Sequence, residues 1–133
     1  MAYLGKEFTV EKDENYAEFI KSLGLPEAEA AHFIAYKPVT KLEKNGDTYK
    51  ITTVTSNGTR VAEFKSGVEF DEELKPGFTV RTKYVVNGDT ITQDMTKDGK
   101  STTYKREFSP DKMKLTITSS FWDGVAYRYY KLV

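Results

Sequence analysis

Residues 91–108 read ITQDMTKDGKSTTYKREF, two alternating runs joined at Asp98-Gly99, and their reading decides the fold. Side chains alternate across a strand, so each run splits into two faces. In the second run Thr103, Lys105 and Glu107 form a wholly polar face that belongs in solvent. Tyr104, Arg106 and Phe108 form the other, which puts Arg106 inside between two aromatics. In the first run Ile91, Gln93 and Met95 share the inner face. Asp-Gly supplies the positive φ angles of a tight hairpin turn.

The same punctuation recurs on both sides. Asn45-Gly46-Asp47, Asn57-Gly58, Pro76-Gly77, Asn87-Gly88-Asp89, Ser109-Pro110-Asp111 and Asp123-Gly124 mark turns between further runs. A spacing of roughly 10–12 residues is that of sequential antiparallel strands in a sandwich or barrel. Parity puts Thr40 and Leu42 inside, and Tyr49 and Ile51 with Thr53. Ala62 and Phe64 share a face with Arg60, and Leu115, Ile117 and Phe121 share one with Ser119. Arg60 either makes a polar contact inside or curls out to solvent on its long stem. In the last run Ala126, Arg128, Tyr130 and Leu132 oppose Val125, Tyr127, Tyr129 and Lys131. Both faces carry aromatics, so periodicity does not choose, although Lys131 favours the second as the outer one.

One block is helical. Tyr16, Phe19, Ile20 and Leu23 fall at i, i+3, i+4 and i+7, one face of a helix. Asn15 suits the N-cap with Glu18 at the third helical position, and Gly24 suits the stop. Pro26 suits the first turn of a second helix through Glu27–Ala31, ended by Pro38. A helix–turn–helix therefore follows a first strand at about Gly5–Glu11.

The chain has 133 residues, the size of a single domain spanning 1–133. It has no cysteine, which removes disulfides, thiol nucleophiles and zinc–thiolate sites and fits a reducing compartment. Lys+Arg and Asp+Glu balance at 20 each, without the basic excess of a nucleic-acid binder. The amino end has neither a signal peptide nor a transmembrane run, so a soluble cytoplasmic protein is expected. His32 is the only histidine, so nucleophilic catalysis and a His/Cys metal site lack parts. Asp71-Glu72-Glu73 reads as a solvated acidic turn. No catalytic residue, metal site or cofactor is expected.

The inner faces are odd for a dry core, because they hold Arg106, Gln93, Ser119, Thr40 and Thr53. An unpaired buried guanidinium costs several kcal/mol. A wet barrel interior that accepts an acidic ligand explains the pattern. An internal Arg–carboxylate pair is the plainer alternative, and most of the inner faces read here contain no Asp or Glu.

Leu4-Gly5 with Phe8, Asn15-Tyr16 through Gly24, and Lys37-Pro38-Val39-Thr40 carry a resemblance that runs nearly end to end. Glu43-Lys44-Asn45-Gly46-Asp47, Gly67-Val68-Glu69-Phe70-Asp71-Glu72, Lys105-Arg106-Glu107-Phe108 and Tyr127-Arg128-Tyr129-Tyr130 continue it in the same order. The chain resembles the intracellular lipid-binding proteins and, within them, the fatty-acid-binding proteins. The ending Trp122-Asp123-Gly124-Val125-Ala126 looks most like insect members. The resemblance implies a ten-stranded antiparallel up-and-down β-barrel, or β-clam, capped by two short helices. It implies that Arg128 and Tyr130 point inward, and that Arg106, Arg128, Tyr130 and Thr40 bind a ligand carboxylate. Ala17 replaces a usual acid, the opening strand is one residue longer, and Asn57 stands where many members carry a portal Phe.

The expected function is that of a carrier for a long-chain fatty acid or similar lipid carboxylate. Arg128 and Tyr130 would touch the carboxylate directly and Arg106 partly through water. Phe8, Phe19, Leu23, Ile51, Phe64, Ile91, Met95, Leu115 and Ile117 would line the acyl chain. Retinoic acid is the rival ligand, because the same two arginines and tyrosine would serve it. A membrane-apposing structural protein is the rival from another class, and it would want a basic surface. A monomer is expected, with no nucleic-acid partner. Lys12, Lys21 and Lys37 are candidates for transient contact with anionic membranes, against the plainer reading of solvated lysines.

Overall fold

A computed structural model describes residues 2–55, 58–75 and 77–133. Its strands are β1 (Glu7–Glu14), β2 (Val39–Asn45), β3 (Thr48–Thr55), β4 (Gly58–Lys65) and β5 (Glu69–Lys75). They continue as β6 (Phe78–Asn87), β7 (Thr90–Lys97), β8 (Lys100–Phe108), β9 (Lys112–Ser119) and β10 (Trp122–Leu132). Helices α1 (Tyr16–Ser22) and α2 (Glu27–Ala35) lie between β1 and β2. All ten strands form one antiparallel sheet in the order β4-β3-β2-β1-β10-β9-β8-β7-β6-β5. Every strand pairs with its neighbours in sequence except β4 and β5, and the β1–β10 ladder joins the two ends of the chain. This is the expected up-and-down barrel. Asn57, at the expected portal tip, and Pro76 lie outside the described residues.

β4 and β5 are the sheet's two edges, so the wall has a gap between them. The end of the gap nearest the β4–β5 turn is closed. There the Gly67 N–H donates to the Tyr84 carbonyl at 2.8 Å, and the Val86 N–H donates to Ser66 Oγ at 2.8 Å. Phe64 stacks on Tyr84 with ring centroids 4.1 Å apart. The chain start seals the barrel floor: Tyr3 stacks on Phe108 at 4.2 Å, and its hydroxyl donates to the Gly88 carbonyl at 2.9 Å.

The first strand differs from expectation. It begins at Glu7 and runs on to Glu14, and its register against β10 slips between Val10 and Lys12. Glu11 is the extra residue of a β-bulge. Val10 pairs with Tyr130 inside, whereas beyond the bulge Asp13, not Lys12, pairs with inward Arg128. A bulge re-aims the side chains that follow it.

The helical cap also differs in detail. Asn15 occupies the N-cap but is left-handed (φ 60), and its side chain caps nothing. Its amide donates instead to the Val125 carbonyl at 3.1 Å, tying α1 to β10. Asn tolerates that conformation better than most residues. Tyr16, Phe19 and Ile20 are buried as expected, but Leu23 is 39% exposed. Helix α1 ends at Ser22, and the chain turns away through Leu23 and Gly24 (φ 71), so the fourth position of the apolar stripe is lost. Helix α2 runs to Ala35, four residues past its expected end, and packs Ala30, Phe33 and Ile34 on the core.

Candidate functional site

The inner face of the sheet is built in cross-strand rows. One row runs Asp13, Arg128, Leu115, Arg106 and Ile91 across β1, β10, β9, β8 and β7. Two guanidinium groups thus point into the barrel from one row, with a single leucine between them. The ambiguity of the last strand is resolved: Ala126, Arg128 and Tyr130 are buried. On the other wall, β2, β3 and β4 carry a polar row, Thr40–Thr53–Arg60, beside an apolar one, Leu42–Ile51–Ala62.

Arg128 is the most heavily bonded of these groups. It is 4% exposed. Its Nε donates to Asp13 Oδ1 at 2.8 Å, and its Nη2 donates to Asp13 Oδ2 at 3.3 Å and to the Tyr36 carbonyl at 3.0 Å. Its guanidinium carbon stands 3.9 Å from the centre of the Tyr16 ring. One side chain therefore joins β1, α1 and the end of α2. Burial works against its charge, but the Asp13 hydrogen bond, Tyr16, Tyr130 and the Asp13 charge outweigh burial, so its pKa lies above the usual value. Nη1 donates to nothing among the described residues. An internal Arg–carboxylate pair is thus present, made possible by the bulge.

Arg106 is held more lightly. Its Nη1 donates to Gln93 Oε1 at 3.0 Å. Gln93 Nε2 donates to Glu72 Oε1 at 3.1 Å and to Thr82 Oγ1 at 3.3 Å. The Tyr84 hydroxyl donates to Glu72 Oε1 at 3.1 Å and Oε2 at 3.2 Å. Glu72 is 6% exposed on β5, which corrects its reading as part of a solvated turn. Its neighbours Asp71 and Glu73 do face solvent. Strand parity puts Glu72 on one face with Phe70 and Leu74, a signal present in the sequence but masked by the run of three acids. Arg106 thus reaches a carboxylate only through a neutral amide, and its other N–H groups stay open to the interior.

Three inward phenols complete the site. Burial raises the pKa of Tyr84, against Arg106 and with Glu72. Burial likewise raises Tyr104 and Tyr130, and in both the arginines pull the other way. All three are neutral hydroxyl donors at neutral pH. The hydroxyls of Tyr104 and Tyr130 make no hydrogen bond among the described residues. Tyr104 shares the inner face with Arg106 and Phe108 and is half-buried.

The other residues expected at the site are buried, with one exception. Thr40 is buried beside Phe8 across the β1–β2 ladder. Phe8, Phe19, Ile51, Phe64, Ile91, Leu115 and Ile117 belong to one buried cluster, and Met95 is buried on the same wall as Gln93. Leu23 lies outside it. His32 is exposed on α2 and stacks on Tyr36 at 6.1 Å. Among the described residues no group of His, Cys, Asp and Glu could hold a metal, and no helix is long and apolar enough to cross a membrane. Lys12 lies on the outer barrel wall over the Tyr129 ring, whereas Lys21 and Lys37 are exposed at the cap.

No protein-family model matches the chain. It is 48% identical over 131 residues to fatty acid-binding protein 1 of Manduca sexta, covering 98% of this chain and 99% of that protein. The solved structure of the fatty-acid-binding protein isolated from Manduca sexta superposes with a TM-score of 0.90 at 43% identity, covering 97% of this chain and 98% of that one. A Schistosoma mansoni fatty acid binding protein solved in complex with arachidonic acid superposes with a TM-score of 0.89 at 26% identity, covering 99% of this chain and 96% of that one.

Proposed function

The chain belongs to the fatty-acid-binding proteins, lipid carriers rather than enzymes, and on that footing we propose that it holds one long-chain fatty acid inside the barrel with the carboxylate at Arg106, Arg128, Tyr130 and Thr40. The observation that carries this reading is the row in which Arg106 and Arg128 share the inner face, each with N–H groups that make no hydrogen bond among the described residues. Arg106 offers Nε and Nη2, Arg128 offers Nη1, and the neutral hydroxyl of Tyr130 adds a donor. Charge-assisted bonds of this kind are about twice as strong as neutral ones. The acyl chain would lie on Phe8, Phe19, Ile51, Phe64, Ile91, Met95, Leu115 and Ile117. At ~0.8 kcal/mol per buried CH₂, a sixteen-carbon chain has a gross driving force on the order of 10 kcal/mol, less the cost of ordering. The head group orients the ligand and the tail supplies most of the affinity.

Arg128 has a second duty in this scheme. Because it also bonds Asp13 and the end of α2, carboxylate binding at Nη1 is felt at the cap. We assign the carrier to the cytoplasm as a monomer, with Lys21 and Lys37 free to touch anionic membrane during transfer.

The test is displacement of a fluorescent fatty acid from delipidated protein, with oleate and all-trans-retinoic acid as parallel competitors. Clear displacement by oleate supports the reading. A win for retinoic acid keeps the anion site and changes the ligand class. If the probe does not bind, the carrier reading fails.

A further inference from the structure

Of the chain's four arginines, three are bonded. Arg81 pairs with Glu69 at 3.6 Å and Asp71 at 3.3 Å on the outer wall. Arg106 is bonded to Gln93 and Arg128 to Asp13. Arg60 alone makes no hydrogen bond or ion pair among the described residues. It is half-buried on the inner face of β4, in line with Thr53 on β3 and buried Thr40 on β2. β4 is an edge of the sheet, so Arg60 stands on the rim of the β4–β5 gap, on the side away from the closed β4–β5 turn.

It shares its strand face with buried Ala62 and Phe64. The phenols of Tyr84 and Tyr104, on β6 and β8, are both pulled down by Arg60 against the upward push of burial. The Tyr104 hydroxyl makes no hydrogen bond among the described residues, and Arg106, Arg60 and Arg128 all favour its ionised form against burial. An inward guanidinium left unpaired is costly, and a carrier of plain fatty acids already has its carboxylate site in the Arg106–Arg128 row. Arg60 is separated from Thr40, at that site, by two inter-strand spacings, about 10 Å. Between them in the row lies only Thr53, whereas the next row, Leu42–Ile51–Ala62, is apolar.

We propose that Arg60, with the hydroxyl of its cross-strand partner Thr53, is a second oxygen-binding point of the barrel, and that the ligands this carrier selects are fatty acids bearing a hydroxyl or second carboxylate along the chain. The proposal rests on the carboxylate site described above and adds selectivity to it. The first carboxylate goes to Arg106 and Arg128, and the chain runs beside the apolar row. The second oxygen then accepts from the Arg60 guanidinium at the rim of the gap. A plain acyl chain leaves Arg60 as it is. An oxygenated one gains a charge-assisted bond there and escapes the penalty its oxygen would meet on an all-apolar wall.

The experiment is competitive displacement by stearate, 10-hydroxystearate and octadecanedioate from the delipidated protein and from Arg60→Met. The unaltered protein is expected to bind at least one oxygenated acid about tenfold or more tighter than stearate. Arg60→Met is expected to lose that preference while binding stearate within about twofold, which also shows that the variant is folded. Stearate favoured by both proteins, with the oxygenated acids equally disfavoured, overturns the second point and leaves the carrier reading standing. Equal loss of all three acids in Arg60→Met also overturns it, because Arg60 would then belong to the first carboxylate's site. Failure of stearate to bind the unaltered protein is a failure of the carrier reading itself, and it overturns this inference with it.

Discussion

Asp13→Asn separates the two duties of Arg128. Among the described residues Asp13 is the only carboxylate bonded to the buried Arg128 guanidinium. Removing one partner of a buried ion pair costs about 3–5 kcal/mol. The Asp13 side chain is 25% exposed and Asn keeps an acceptor for Nε, so a loss of about 1–2 kcal/mol is expected. The effect on binding has the opposite sign. A ligand carboxylate sharing Arg128 would lie on the order of 6 Å from Asp13, where two like charges repel by about 3 kcal/mol at an effective dielectric of ~20. Half of that, allowing for the solvent at Asp13, is about 1.4 kcal/mol, or roughly tenfold in affinity. The variant should bind oleate about tenfold more tightly and oleyl alcohol unchanged. In saturating oleate its stability deficit should close, because a tenfold tighter ligand adds about 1.4 kcal/mol through linkage. Urea unfolding with and without oleate, and displacement by the acid and the alcohol, read both effects. Weaker or unchanged oleate binding would refute the idea that Asp13 and the ligand compete for one guanidinium.

Other outcomes follow from the same geometry. Arg128→Met should weaken oleate binding by about 1.5–3 kcal/mol while leaving oleyl alcohol nearly unaffected, and displacement titrations that show equal losses would remove Arg128 from the carboxylate site. The phenols of Tyr16, Tyr84, Tyr104 and Tyr130 have raised pKa values, chiefly through burial. Above about pH 10 the unfolded chain releases these protons while the folded chain keeps them, so stability should fall with rising pH by up to ~1.4 kcal/mol per unit per phenol. Ultraviolet titration should find these four un-ionised until the protein unfolds, and full tyrosinate absorbance in the folded state would contradict their burial. A Cβ at Gly124 would overlap the Trp122 indole, whose ring lies 5.7 Å from that of Phe19 on α1. Gly124→Ala should therefore shift Trp122 fluorescence and cost about 1–3 kcal/mol in urea unfolding.

Strand alternation made most of the barrel legible, and its failures have physical causes. The inward positions of Arg106, Gln93, Thr40 and Ile51 needed only a period of two, because their strands carry regular ladders through these positions. That period fails silently at a bulge. Counting from Phe8 and Val10 puts Lys12 inside and Asp13 out, and the extra residue at Glu11 reverses both. Nothing in the composition of residues 10–13 announces it. Glu72 is a different case: the period was intact, with Phe70 and Leu74 two residues away on either side, but three successive acids read as a solvated turn. Leu23 fits the helical spacing and is lost because α1 stops one residue before it.

The two acids that the alternation missed are the ones that set the interior charge. With Asp13 and Glu72 outside, the barrel would hold three guanidinium groups, Arg60, Arg106 and Arg128, against no carboxylate. With both inside, one positive charge is left over. Asp13 takes Arg128 directly, whereas Glu72 is shared through Tyr84 and Gln93 and neutralises neither Arg106 nor Arg60 by contact. A single carboxylate brought in by a ligand closes that balance. A buried charge is tolerable when a partner arrives with it. On the proposed carboxylate site, this surplus charge predicts that an ionised lipid is preferred to its alcohol. The interior acids have the complementary effect: they hold the surplus to one charge.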